Sequence, residues 1–562
     1  MPQLFQHTPR YLTPRQAAWL AGDFSLGPAH RRGAGDMNPG PSGRDPHGPK
    51  FACCEDVTPT HIPLKPGRIA LLAVLTGLLG CGEVPYLAQA IYKAQRMAEM
   101  GPSVALDLPA IEQRDTLVVI APYNSTSYFL YRAEPMGYEY ELLQKFAEEM
   151  DVKLRMLVVT ERDSMFKLLR AGKGDIVAAR LVGAPEDSGV VAYTRPLYAT
   201  NPVLVQRSAG PPAVVVADTA PALGGAAEPA TLPPITPARV RQIQRPSQLQ
   251  GQRVDVPEQS PYTRTLIELA DTLTGDIHVV EVDASSEALI RAVSEGTIRY
   301  TVAQGNIADI SSDHYTNIVV RPALGEAAPI AWAVRPNAPQ LHARLNQWLA
   351  NEKNASLLQS LYTKYFIHSA GYHQRMDSPF LTSETGRLSE YDTLFKEGAK
   401  KIGWDWRLLA SQAYQESKFQ PRARSWAGAS GLLQLMPRTA AEFKVRNATD
   451  PEENVAGAVR FLGWLTNYWT QRIEDPDERL KFILASYNTG SGHVEDAQRL
   501  AEQAGDDPTK WADVSYWLLQ KSKREVYTNP VVKYGYSRGI EPVNYVSIIL
   551  ERFQQYRQAG NE

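Results

Sequence analysis

Glu416 ends a stretch whose spacing would bury a carboxyl group. Asp405 can cap a helix running from Trp406 through Ser417. Within it Leu409, Ala413 and Glu416 stand at i, i+4 and i+7, so they share one face, and Glu416 continues an apolar stripe directed inward. It also falls in the last helical turn, where the negative end of the helix dipole disfavours a further negative charge. Desolvation and dipole act in the same direction, towards a raised pKa and a carboxyl still protonated near neutrality. That is the state required of a general acid. No metal-ligand spacing, phosphate-binding glycine loop or nucleophile elbow accompanies it, so no metal and no cofactor are expected.

The elements that must position Glu416 are helices. Beyond about Ser383 strand signals vanish. Asp450-Pro-Glu-Glu and Asp475-Pro-Asp-Glu are two strong helix starts, each with a capping Asp, Pro at the first position and acids in the first turn. From Asp115 to about residue 367 the pattern is different. Thr116 to Pro122 reads as a buried strand, Gly137 to Asp151 as an amphipathic helix and Val152 to Thr160 as the next strand. This is a βαβ order and predicts a mostly parallel sheet covered on both faces. A Pro/Ala/Gly-rich insertion at 208–240 interrupts it, and a second α/β lobe is expected to begin at Pro246 and run to about Pro322. Ile330 to Pro336 and a helix around Leu341 to Tyr365 would return to the first lobe.

Length and charge agree with a multidomain globular protein. At 562 residues the chain exceeds a single core, and a formal net charge of −2 gives no basic surface for nucleic acid. The three cysteines, Cys53, Cys54 and Cys81, all precede the folded region, so no disulfide framework holds it. Residues 1–62 are rich in Pro, Gly, Arg and His and are expected to be disordered or untranslated. At 63–81 a basic patch and an apolar run too short to span a bilayer end at Cys81. Leu78-Leu79-Gly80-Cys81 resembles a bacterial lipoprotein cleavage box, which implies lipidation of Cys81 and, with Gly82 following, anchoring at the periplasmic face of the outer membrane. Residues 82–114 and 368–384 are expected to be linkers.

Four stretches in order point to a family. They are Glu416-Ser417; Gly428 to Ala441 with Gln434 and Met436; Ser486-Tyr487-Asn488-Thr489-Gly490; and Glu541 to Val546 with Tyr545. Together they resemble the soluble-type lytic transglycosylases of lysozyme-like fold. Leu433 and Ser486 depart from the family's usual Met and Ala, at positions expected to line the site. The resemblance implies that 385–562 is an all-α catalytic domain acting on the glycan strands of peptidoglycan, with Glu416 as its acid and base. Tyr487 and Tyr545 would bond near Glu416 or the substrate's N-acetyl group. Ser425, Gln434 and Asn488 would hold the sugar beside the scissile bond, and Met436 would line the groove. The alternatives on the same residues are a hydrolytic goose-type muramidase and a non-catalytic cell-wall receptor.

Residues 115–367 resemble the family-3 bacterial solute-binding proteins, which implies a two-lobed α/β domain. That family carries an Arg for a ligand carboxylate where this chain has Asp187, and an acid for a ligand amine near Gln304-Gly305. Both charges that would recognise a free amino acid are therefore missing. The domain is expected either to sense a cell-wall fragment (a muropeptide or stem peptide) through other contacts or to act as a spacer. The order of the two parts resembles that of membrane-bound murein transglycosylases.

Overall fold

Two large sheets and a two-stranded hairpin build the first part of the protein among the described residues. In the computed structural model, which describes residues 93–184, 187–208, 242–273 and 275–559, the first sheet has the strand order Lys153–Val158, Thr116–Ala121, Ile176–Val182, Ala328–Val334 and Ala192–Tyr193. Tyr198–Thr200 also pairs with Ala328–Val334. The extension 1–62, the signal segment with Cys81 and nearly all of the expected insertion lie outside the described residues. Helices Tyr138–Glu149 and Arg162–Arg170 connect the first three parallel strands, and Thr116–Ala121 is buried along its whole length. That burial is what a central parallel strand covered on both faces requires.

The second sheet runs His278–Val282, Arg253–Pro257, Tyr300–Gln304, Pro202–Arg207, Ile318–Ala323. Pro322 is accommodated because its strand is at the edge. The expected mostly parallel sheet needs correction, because both sheets are mixed. Ala328–Val334 returns from the second lobe and enters the first sheet from the opposite end, so it pairs antiparallel with Ile176–Val182. Pro202–Arg207 pairs antiparallel with Tyr300–Gln304 for the same reason. The second lobe therefore begins at Pro202 rather than Pro246, and the 209–241 stretch falls in sequence inside that lobe.

The two expected linkers are not free connectors where they are described. Asp107 caps helix Leu108–Arg114, which buries Ile111 in the first-lobe core. Residues 369–376 and 382–385 are helical, and Tyr372 and Leu381 are fully buried.

From Asp392 the described structure is helical: Asp392–Ile402, Trp406–Ser417, Pro437–Glu442, Pro451–Thr470, Pro476–Thr489, Ser491–Ala504, Trp511–Gln520 and Ile540–Ala559 are its principal helices. The three capping aspartates do what their positions predict. Asp405 accepts from Arg407 N at 2.9 Å, Asp450 from Glu453 N at 2.9 Å and Asp475 from Asp477 N at 2.9 Å. Leu409, Ala413, Leu462, Trp469, Phe482 and Ile549 lie in one continuous core. The α/β part contributes to that core. The hairpin of Phe129–Tyr131 and Glu134–Met136 carries Leu130 and Ala133 into it, Tyr556 donates to Ala133 O at 3.3 Å, and Tyr414 donates to the Glu134 carboxylate. Burial of Leu130 alone contributes about 2 kcal/mol to this junction. Among the described residues no helix is long and apolar enough to cross a membrane.

Candidate active site

Glu416 sits where its helix spacing places it, next to the fully buried Ala413 and one turn beyond the fully buried Gln412. Its side chain keeps a partial opening to solvent, while the carboxyl itself is desolvated. Burial pushes its pKa up to about 7, opposed by a hydrogen bond from Tyr545. Tyr545, on the last helix, donates to Glu416 Oε1 at 2.5 Å and accepts from Gln412 Nε2 at 3.1 Å. Burial holds the Tyr545 and Tyr487 hydroxyls well above their usual pKa, so both stay protonated through neutrality. The site thus pairs one acid near its midpoint at neutral pH with a fixed phenolic donor.

The loop from Gly428 to Met436 forms the neighbouring wall. Ser417 Oγ donates to Leu432 O at 2.8 Å, tying the loop to the end of the Glu416 helix. Tyr487 donates to Leu433 O at 2.7 Å, so its hydroxyl braces the loop rather than bonding Glu416. Gln434, at a left-handed φ of 45°, donates through Nε2 to Ala423 O at 3.0 Å and Gly431 O at 2.9 Å. Its amide hydrogens are therefore committed, and what it can offer a bound molecule is its carbonyl oxygen. Ser425 Oγ accepts from Ala429 N at 3.0 Å, closing the preceding turn. Met436 is 44% exposed at the start of Pro437–Glu442, and Asn488 is exposed in the last turn of Pro476–Thr489. Glu416, Tyr545, Tyr487 and Gln434 are thus joined by bonded elements, whereas Ser425, Met436 and Asn488 sit further out on the same loops and helix end.

Two expectations need correction. Leu433 and Ser486 do not line the site, because both are fully buried. Ser486 Oγ accepts from Trp469 Nε1 at 2.9 Å, which gives the serine a purpose that an alanine could not serve.

Two further residues acquire their bonding role only in three dimensions. Asn454 is fully buried on Pro451–Thr470 and holds three backbone groups. It accepts from Leu433 N at 2.8 Å and donates to Ser430 O at 3.0 Å and Ala448 O at 2.9 Å. Gly431 makes that clamp possible. It has a φ of 89°, and a Cβ there would lie 1.9 Å from Ala448 O. Asn454 falls in line with the buried Ala458, Leu462 and Leu465 of its helix, and a polar residue on an apolar stripe was the signal available. The second is Gln412, on the stripe of Glu416.

A second concave region lies between the α/β lobes, a cleft of about 810 Å³ lined by Tyr123, Arg162, Arg180, Gln259, Tyr262 and Gln304 among others. Asp187, at the expected carboxylate-clamp position, is buried and already engaged by Arg162 Nη2 at 2.5 Å and Tyr193 Oη at 2.6 Å. Arg180 Nη1 instead reaches across to Glu287 Oε1 at 3.0 Å, and Gln259 Nε2 to Glu161 Oε1 at 2.8 Å, so the lobes bond each other directly.

The family model described as "Bacterial extracellular solute-binding proteins, family 3" matches residues 116–368, and "Transglycosylase SLT domain" matches residues 393–509. The latter span contains Glu416, Ser425, Gln434, Met436, Tyr487 and Asn488, with Tyr545 beyond it. The membrane-bound lytic murein transglycosylase F of Desulfosudis oleivorans is 30% identical over 457 residues, 80% of this chain and 91% of that protein. The protein of the same name from Pseudomonas fluorescens is 31% identical over 445 residues, 79% of this chain and 85% of that protein. Among solved structures, an amino acid ABC transporter substrate-binding protein of Streptococcus pneumoniae covers 47% of this chain and 99% of its own at 15% identity and a TM-score of 0.37. With relatives at 30% identity or more matched over most of their length, the chain belongs to the membrane-bound lytic murein transglycosylase F family.

Proposed function

We propose that the protein is a lytic transglycosylase that cleaves the β-1,4 bond between N-acetylmuramic acid and N-acetylglucosamine in peptidoglycan without using water. The observation that carries this reading is Glu416, a desolvated carboxyl with its pKa at about 7, one oxygen bonded by Tyr545 and no second carboxyl among the groups that perturb it. Most glycosidases divide the work between two carboxylates, whereas here one group serves in turn. Protonated Glu416 gives its proton to the glycosidic oxygen as the bond to the anomeric carbon breaks. The substrate's own N-acetyl group stabilises the positive charge left there. Ionised Glu416 then takes the proton of the muramic acid C6 hydroxyl, whose oxygen closes on the anomeric carbon to form the 1,6-anhydro ring. Intramolecular attack carries an effective molarity of roughly 10⁵ M or more when aligned, so no positioned water is needed.

Ser425, the Gln434 carbonyl oxygen, Asn488 and Met436 form the sugar-holding rim in this reading. Tyr487 acts by bracing the loop, given its bond to Leu433 O. The lobed domain serves as a regulatory module for a muropeptide or stem peptide, and a lipid on Cys81 would hold the enzyme at the periplasmic face of the outer membrane. Incubating protein that starts at Gly82 with purified peptidoglycan, and reading the products by mass spectrometry, tests the proposal. Anhydro-ended muropeptides that vanish with Glu416→Gln are expected. Reducing-ended products would make it a muramidase, and glycan binding without products would make it a receptor.

A further inference from the structure

Gln412 is a fully buried amide on the helix face it shares with Leu409, Ala413 and Glu416, and only one of its two polar atoms is used. Nε2 donates to Tyr545 Oη at 3.1 Å, while the buried Oε1 has no hydrogen-bond partner among the described residues. An unsatisfied buried carbonyl oxygen is unfavourable and asks for an explanation. Turning the amide over would let Oε1 accept the Tyr545 proton, but it would set Nε2, with two hydrogens to place, where Oε1 now finds no partner. The same turn would take that proton away from Glu416.

We infer that Gln412 is a positioning residue that makes Tyr545 a one-way donor and thereby fixes which oxygen of Glu416 carries the acid proton. With Gln412 N–H donating to Tyr545 Oη, the tyrosine proton goes to Glu416 Oε1. Oε1 is then an acceptor, so the proton of the neutral carboxyl resides on Oε2, the oxygen left for the glycosidic bond. Without the amide donor, Tyr545 can rotate its hydroxyl and accept a proton from Oε1–H. The neutral acid is then stabilised in a tautomer that cannot protonate the substrate. The inference rests on the transglycosylase reading for the identity of the reaction, but its effect on Glu416 is independent of turnover.

Few other charges bear on this titration. The last helix presents Tyr545, and also Arg552, whose Nη1 bonds Gln415 at 3.1 Å. Pro476–Thr489 presents Tyr487, and the Gly428–Met436 wall presents no ionisable side chain. Since both tyrosines hold their protons through neutrality, a change in the midpoint of Glu416 reports on the hydrogen-bond direction.

The test uses the full chain with two variants, Gln412→Met, which keeps the length and shape of the side chain, and Gln412→Glu, which when ionised offers acceptors only. With peptidoglycan as substrate, kcat should fall about tenfold in Gln412→Met with KM within about twofold, the scale of one lost orienting bond. The alkaline limb of its pH profile should move upward, and Gln412→Glu should lose more. In parallel, the ¹³C carboxyl titration of Glu416, assigned by its disappearance in Glu416→Gln, should show a higher midpoint in Gln412→Met than in the unaltered protein. A folded Gln412→Met with unchanged kcat and unchanged midpoint would overturn the inference. So would a loss of kcat and of thermal stability with the midpoint unmoved, which would make Gln412 a packing residue. If the unaltered protein gave no anhydro products, the reaction assignment would fail, while the titration would still decide the role of Gln412.

Discussion

Glu416 and Glu139 are two glutamates in the same chain whose desolvated carboxyls both have pKa values pushed up to about 7, yet their surroundings differ in kind. Glu139 is fully buried in the first turn of Tyr138–Glu149. Burial raises it, and Arg180 and the Ser127 hydroxyl pull it back down. It belongs to the charge cluster that joins the lobes. Glu416 has no cation among its perturbing groups, receives one phenolic hydrogen bond and retains an opening to solvent. A proton shared near neutrality is thus not by itself a mark of catalysis. Of the two, Glu416 is the one whose proton is both poised and reachable, with an anchored donor deciding which oxygen holds it.

The largest expected effect separates the two glutamates by activity. Glu416→Gln should lower the release of anhydro products by about a thousandfold or more, the scale of a lost general acid. Glu139→Gln should leave it within about twofold under saturating glycan, by the usual size of a change remote from the reacting atoms. Comparable losses in both variants would erase the distinction.

The next effect concerns the wall beside Glu416. Asn454→Ala strands three backbone groups of the loop that Gly431 lets approach. It should cost about 3–4 kcal/mol in the urea transition of the helical part, at the upper end for a single buried network. A loss under about 1 kcal/mol would mean that the loop is held by packing alone.

The smallest expected effect is on stability against pH. The folded-state pKa of Glu139, about 7, exceeds its reference value of 4.5. Between those values the folded protein keeps a proton that the unfolded chain releases, so stability falls as pH rises through that window and levels off above 7. Glu139→Gln should reduce the change in unfolding free energy between pH 4.5 and 7.5 by on the order of 2–3 kcal/mol, read from denaturant titrations. An unchanged slope would place the burial of Glu139 in doubt.

What could be read along the chain was periodic or punctuated. The Asp405, Asp450 and Asp475 caps, the stripe that buries Glu416 and the buried strand Thr116–Ala121 all express local rules, and the structure follows them. What could not be read depends on a distant partner. Nothing near Leu130 and Ala133 announces that their hairpin completes a distant core, as the Tyr414 and Tyr556 contacts, 280 and 423 residues away, show. Pro202–Arg207 joins the second lobe because of a pairing with Tyr300–Gln304. Leu433 and Ser486 looked like lining residues until the helix pairing placed them inside. Gln412 and Asn454 were visible as polar residues on apolar stripes, but what each one bonds lies 133 residues away in one case and 21–24 in two of the other's three bonds.

The most direct test of the account is the pH dependence of kcat/KM for anhydro-muropeptide release, measured for the unaltered protein and for Glu139→Gln. The account predicts a rate that falls as pH rises through about 7, where Glu416 gives up its proton, and the same limb when Glu139 is replaced. A flat profile from pH 5 to 9, or a limb that disappears with Glu139→Gln, would contradict the assignment of Glu416 as the acid.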